Sequence, residues 1–90
     1  MENWYQITNV SSLDTPALVI YPERVKKNLE IVKTFIDDVA RLRPHVKTNK
    51  CPEVIKLMLE AGIERFKAAT IAEAEMLAAL NVKDVLVAYQ

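Results

Sequence analysis

Arg43-Pro44-His45-Val46-Lys47-Thr48-Asn49-Lys50 is the stretch on which the reading of this chain turns. As a strand it places Arg43, His45, Lys47 and Asn49 on one face and Leu42, Pro44, Val46 and Thr48 on the other. A parallel sheet between helical layers is apolar on both faces, because helices or a barrel core cover each side. Here one face carries cations, an imidazole and an amide. Such a row is costly to bury without partners, so it implies a ligand rich in acceptors or a water-filled mouth.

The flanks on either side are helical. Upstream, Pro22 suits the first turn of a helix, where its missing N–H costs nothing. Val25, Leu29, Val32, Ile36 and Val39 then follow at helical spacing and form one apolar stripe on a long helix, with Lys26, Lys27, Glu30, Lys33 and Asp37 toward solvent. Before it, Ala17-Leu18-Val19-Ile20-Tyr21 reads as a strand, and residues 1–12 as an N-terminal extension. Downstream, Cys51-Pro52-Glu53 opens a second helix with Val54, Ile55, Leu57, Met58 and Ala61 inward, and Gly62 stands where a helix ends in a left-handed residue. Phe66-Lys67-Ala68-Ala69 is a short strand. Thr70 and Glu73 have capping-box spacing ahead of a helix over 71–80, whose inward set is Ile71, Ala74, Leu77 and Ala78 and which Asn81 can end. Val85-Leu86-Val87-Ala88-Tyr89 is the last strand.

This order, β-α-β-α-β-α-β, predicts an α/β fold of parallel βα repeats. A closed eight-stranded barrel of the TIM type takes about 250 residues, so residues 13–90 are expected to form only its first part. A compact three-layer domain complete at 90 residues is the alternative. Twelve basic and twelve acidic residues cancel, which gives no reason to expect nucleic acid or an anionic membrane as partner. No apolar run approaches the roughly 18 residues of a membrane span. The single cysteine, Cys51, and single histidine, His45, leave no disulfide and no zinc-type ligand spacing. The expected compartment is the cytoplasm.

Lysine in a strand is ordinarily a solvated surface residue. Lys47 differs in lying near the carboxyl end of a predicted parallel strand, where α/β folds place ligands. Arg43 and Lys50 add positive charge beside it, which favours the neutral, nucleophilic amine that Schiff-base chemistry requires. His45 either contacts a ligand from the same face or is a hydrogen-bonded interior histidine. Arg43, deeper still, reads as a structural ion partner. For Cys51, packing is favoured over a reactive thiol.

The segment 43–50 resembles the cofactor-lysine segment of the D-threonine aldolase/D-serine dehydratase family, pyridoxal-phosphate enzymes with the alanine-racemase type of barrel. Leu13-Asp14-Thr15-Pro16-Ala17-Leu18-Val19, Ala69-Thr70-Ile71-Ala72-Glu73-Ala74-Glu75 and Asp84-Val85-Leu86-Val87-Ala88-Tyr89 agree with it in order and spacing. The resemblance implies that Lys47 holds pyridoxal 5'-phosphate as a Schiff base, that His45 is a cofactor neighbour, and that the substrate is a small D-amino acid. It further implies a lyase or racemase (isomerase) that is a homodimer at full length. Any divalent metal would have its ligands outside this chain, and these 90 residues alone would be inactive. The family commonly has histidine where this chain has Asn49, and asparagine exchanges no proton near neutral pH. A non-catalytic pyridoxal-phosphate carrier and a small structural α/β module are the rival readings.

Overall fold

A residue that precedes proline is pushed to extended backbone, because the proline ring clashes with helical geometry there. The chain starts two helices this way. Tyr21 (φ −112°, ψ 94°) leads into helix α1, Pro22–Lys33, and Cys51 (φ −121°, ψ 111°) leads into helix α2, Pro52–Glu60. The computed structural model describes residues 3–88. Among them, α2 is followed by strand β1, Arg65–Ala68, helix α3, Ile71–Ala79, and strand β2, Asp84–Val87. The strands pair in parallel, Arg65 opposite Asp84 through Ala68 opposite Val87, so α3 is the crossover between them.

Both later helices stop by the same device. At α2 the Gly62 N–H bonds Leu59 O at 3.0 Å and the Ile63 N–H bonds Met58 O at 3.1 Å, with Gly62 at φ +96°. At α3 the Asn81 N–H bonds Ala78 O at 3.0 Å and the Val82 N–H bonds Leu77 O at 3.1 Å, with Asn81 at φ +62°. These are Schellman caps, and each delivers an apolar residue, Ile63 or Val82, back onto the core. Both helix ends expected at Gly62 and Asn81 are borne out.

The core is Val46, Ile55, Ile63, Phe66, Ala68 and Leu77, all buried, with Leu29, Val39, Leu42 and Met58 packed against it. Full burial of side chains such as Phe66, Ile55, Leu77 and Val46 stabilises by about 1.5–3 kcal/mol each. The inward face expected for α2 holds. That of α3 is rotated: Leu77 is buried and Ala74 half-buried, but Ala78 is exposed and Ile71 is 75% exposed, while Glu73 takes an inward place. Ile71 occupies the first helical position, and the capping contacts of Thr70 and Glu73 set the rotation of that turn.

Two further expectations are corrected. The long helix through Val39 ends at Lys33. Thr34 and Phe35 donate to Ile31 O and Val32 O, tightening the last turn, and Asp38 caps a separate 3-10 turn, Val39–Arg41, by accepting from Ala40 N–H at 2.9 Å. Val39 still reaches the core, and Lys33 turns back to donate to Ala61 O, the C-cap carbonyl of α2, at 2.9 Å. The strand expected at 17–21 has no strand beside it among the described residues, and backbone without a neighbour to bond forms no sheet. Leu18 and Val19 stay exposed. Of the strand expected at 85–89, Tyr89 lies outside the described residues.

The N-terminal residues contribute a separate aromatic cluster. Trp4 packs edge-on to Tyr5 and Tyr21, Arg24 stacks over the Trp4 ring at 3.4 Å, and the Tyr21 hydroxyl donates to Tyr5 O at 3.0 Å. With this outlying segment the radius of gyration is 15.0 Å, above the roughly 12 Å of a compact chain of this length. The described residues thus form a small α/β unit of three helices and a two-stranded parallel sheet.

Candidate functional site

The segment 42–48 is half strand and half turn. A single parallel bridge pairs His45 with Lys67, with the Val46 N–H on Lys67 O and the Lys67 N–H on Pro44 O, both at 2.9 Å. Extended backbone then stops. The Lys50 N–H bonds Val46 O at 2.9 Å, and Asn49 Oδ1 accepts the Cys51 N–H at 3.0 Å, closing an Asx turn. Lys50 ends the turn at φ +48°. The expected row is therefore corrected: Arg43 and His45 keep strand alternation, whereas Lys47 and Asn49 sit on the turn. Thr48-Asn49 is turn-forming sequence, and Pro52 fixes the extended residue that must follow it.

Register assigns the rest of the polar face. His45 lies opposite Lys67, and Lys67 opposite Leu86, while Arg65 pairs with Asp84. Side chains opposite each other in register share a face, so Arg65, Lys67 and Asp84 extend the polar row begun by Arg43 and His45. Phe66 and Ala68 point the other way, buried under the helices. Sequence reasoning passed over Arg65, Lys67 and Asp84. The alternation Arg65-Phe66-Lys67-Ala68 was the signal available.

The two ends of this sheet differ in chemistry. At the amino end, Asp84 Oδ1 meets Arg43 Nη2 at 2.7 Å and Asp84 Oδ2 meets Arg65 Nε at 3.3 Å. Arg43 also donates to Phe66 O at 3.1 Å. Arg43 is thus the structural ion partner expected of it. At the carboxyl end stand the Lys47 turn, the start of α3 with its N-cap Thr70 and Glu73 in its first turn, and Ala88, whose N–H bonds Ala68 O at 2.9 Å.

Lys47 is exposed, and among the described residues its amine enters no ion pair. Its backbone N–H donates to His45 Nδ1 at 3.2 Å, which fixes the half-buried imidazole beside the turn. The cationic surroundings expected of Lys47 are compensated by carboxylates: Arg43 is paired with Asp84, and Lys50 Nζ lies 3.8 Å from Glu73 Oε2. The Cys51 thiol donates to Glu53 Oε2 at 3.2 Å, a hydrogen bond that holds the Glu53 carboxyl below its ordinary value.

Glu73 caps α3 with its own charge. Its Oε1 accepts the Ala69 N–H at 3.0 Å, its Oε2 accepts from the Thr70 hydroxyl at 3.1 Å, and its N–H donates to Thr70 Oγ1 at 3.1 Å. The Ala69 N–H is the main cause holding this carboxyl below its usual range. Burial opposes it, while Thr70, Lys50 and His45 add to it. The positive end of α3 is thereby occupied by the chain's own anion. Among the described residues no three His, Cys, Asp or Glu side chains gather as metal ligands, and no helix is long and apolar enough to cross a membrane.

Two known proteins are similar to this chain. It is 38% identical over 78 residues, 86% of its length, to D-threo-3-hydroxyaspartate dehydratase of Delftia sp. (strain HT23). It is 33% identical over 78 residues, 84% of its length, to D-threonine aldolase of Arthrobacter sp. The chain spans about a fifth of the length of each (20%). No family model and no solved structure matches it. The two relatives bear out the resemblance carried by the lysine segment and its companion motifs.

Proposed function

We infer that this chain is the N-terminal portion of a pyridoxal-phosphate-dependent lyase acting on D-amino acids, with Lys47 as the cofactor lysine. One observation carries the reading. An exposed primary amine, without an ionic partner among the described residues, stands on a turn at the carboxyl end of parallel strands, within a chain whose relatives are a D-threonine aldolase and a D-threo-3-hydroxyaspartate dehydratase. That is where α/β folds place ligands. In this reading residues 13–88 supply the first βα units of a (β/α)8 barrel. The polar face of Arg43, His45, Arg65, Lys67 and Asp84 then looks into the barrel rather than toward its helices.

The residues present suit the cofactor's aldehyde. Lys47 supplies a primary amine that enters no ion pair among the described residues, and His45, braced by the Lys47 N–H, stands beside the turn. When bound, pyridoxal phosphate supplies a ring that stabilises charge developing at the substrate Cα. The Lys47 amine, once free, can accept or return a proton there. Asn49 takes no part in proton transfer, because an amide exchanges no proton near neutral pH, and its Oδ1 instead accepts the Cys51 N–H. An aldolase breaks the Cα–Cβ bond and a dehydratase removes the Cα proton. The same lysine serves both.

Borohydride treatment in the presence of pyridoxal phosphate fixes the cofactor on the lysine that holds it. Peptide mass spectrometry of the polypeptide carrying this sequence is expected to find the label on Lys47 and to lose it in Lys47→Ala. Label that persists in Lys47→Ala, or that spreads over the surface lysines at equal levels, would sink the assignment.

A further inference from the structure

Glu73 is the buried charged residue of the described core, 4% exposed, and it lies in the first turn of α3, just after the loop that follows β1. Two of its contacts, the Ala69 N–H and the Thr70 hydroxyl, come from the residues just before α3 and suffice to cap it. Its counter-charge comes from elsewhere: Lys50 Nζ, at 3.8 Å, reaches it from the preceding loop. Lys50 is also the residue that closes the Lys47 turn, through its N–H on Val46 O at 2.9 Å. It does so at φ +48°, a conformation that lysine does not favour.

We propose that the Lys50–Glu73 ion pair is a bracket between the Lys47 turn and the first turn of α3 that holds the turn 46–50 and so fixes where the Lys47 amine stands. Lys50 and Glu73 are positioning residues in this account, and the inference rests on the reading of Lys47 as the cofactor lysine. A strained backbone conformation persists only where the surroundings determine it from more than one side. The chain's other positive-φ positions among the described residues are Gly62 and Asn81, residue types that accept this backbone readily. Position 50 instead has a side chain long enough to reach the first turn of α3, and the carboxylate it reaches is buried. Burying that carboxylate is costly without a counter-charge, so the pair constrains both loops together.

The test uses the polypeptide carrying this sequence and its Lys50→Met, Lys50→Gly, Lys50→Arg and Glu73→Gln variants. It reads borohydride trapping at Lys47 against pyridoxal phosphate concentration, together with amide hydrogen exchange over residues 45–51. Lys50→Met and Glu73→Gln are each expected to raise the half-saturating concentration about fivefold, and the double variant no further than either single one. Lys50→Arg is expected to restore the wild-type curve. Lys50→Gly frees the backbone but removes the pair, and is expected to follow Lys50→Met. A Lys50→Met curve superimposed on wild type, or a Lys50→Gly curve matching it, overturns the bracket. If wild type shows no trapping at Lys47, the cofactor-lysine reading fails and exchange decides alone. Unchanged protection of 45–51 in Lys50→Met then overturns the bracket, and faster exchange retains it as a loop tie.

Discussion

Replacing Asn49 by alanine isolates what this residue does on the Lys47 turn. Its Oδ1 accepts the Cys51 N–H at 3.0 Å, and Cys51 is the residue that caps α2. A neutral hydrogen bond of this kind contributes about 1 kcal/mol net. The larger penalty of a fully buried orphan donor does not apply, because Cys51 is only half-buried. Little packing is lost, since Asn49 lies outside the buried core. Asn49→Ala is therefore expected to cost about 1 kcal/mol, roughly a fivefold change in the folding equilibrium. Asn49→Asp keeps the acceptor and places a negative charge near the start of α2, worth about 0.3–1 kcal/mol in its favour. It is expected to match wild type or exceed it slightly. Urea denaturation at neutral pH measures both through the shift in midpoint at constant slope. The reasoning is refuted if alanine leaves the midpoint in place, or if aspartate falls as far as alanine does.

Gly62→Ala tests the end of α2. At φ +96° an added Cβ would meet only Val39 Cγ1, at an ordinary 3.6 Å, so the expected loss of about 1–2 kcal/mol comes from the left-handed backbone alone. Asn81→Gly at the matching cap of α3 is expected to change stability by less than about 1 kcal/mol, since asparagine already tolerates that conformation. Denaturation midpoints of the two variants check the contrast. Glu73 predicts an acid dependence. Its folded pKa lies below the ordinary 4.5, so its contribution to stability is complete above pH 4.5 and is lost as pH falls through the folded value. A stability profile across that acid range is expected to slope less in Glu73→Gln than in wild type. Parallel profiles would contradict the assignment.

What could be read from the sequence was mostly what local chemistry decides. Pro22 and Pro52 open helices, Gly62 and Asn81 end them, and Thr70 with Glu73 caps the third, because each acts within a few residues of itself. Alternation failed at Lys47. A period-two pattern persists in the letters from Arg43 to Asn49, but the hydrogen bonds that end the strand, from the Lys50 N–H to Val46 O and from the Cys51 N–H to Asn49 Oδ1, override it. The strand expected at 17–21 failed for the opposite reason. Its composition suits a sheet, yet a sheet requires a second strand, which no property of those five residues can supply. Ile71 misled because helical spacing identifies a stripe without fixing how a capped first turn is rotated about its axis. The polar face beyond Arg43 and His45 needed register, which is set by pairing between segments far apart in the chain.

The ion pairs of Asp84 bear on how the sheet finds its alignment. One carboxylate holds arginines from two other segments, Arg43 at 2.7 Å and Arg65 at 3.3 Å. Sliding β2 by a single residue would carry that carboxylate about 3.3 Å along the strand and turn it to the opposite face. Both contacts would vanish together, and an aspartate would be driven toward the layer that holds Phe66 and Ala68. Asp84 therefore works as the index mark of the parallel ladder. Apolar side chains such as Val85 and Val87 could settle into a shifted alignment, but a single charged residue read by two strands at once distinguishes the correct setting from its neighbours.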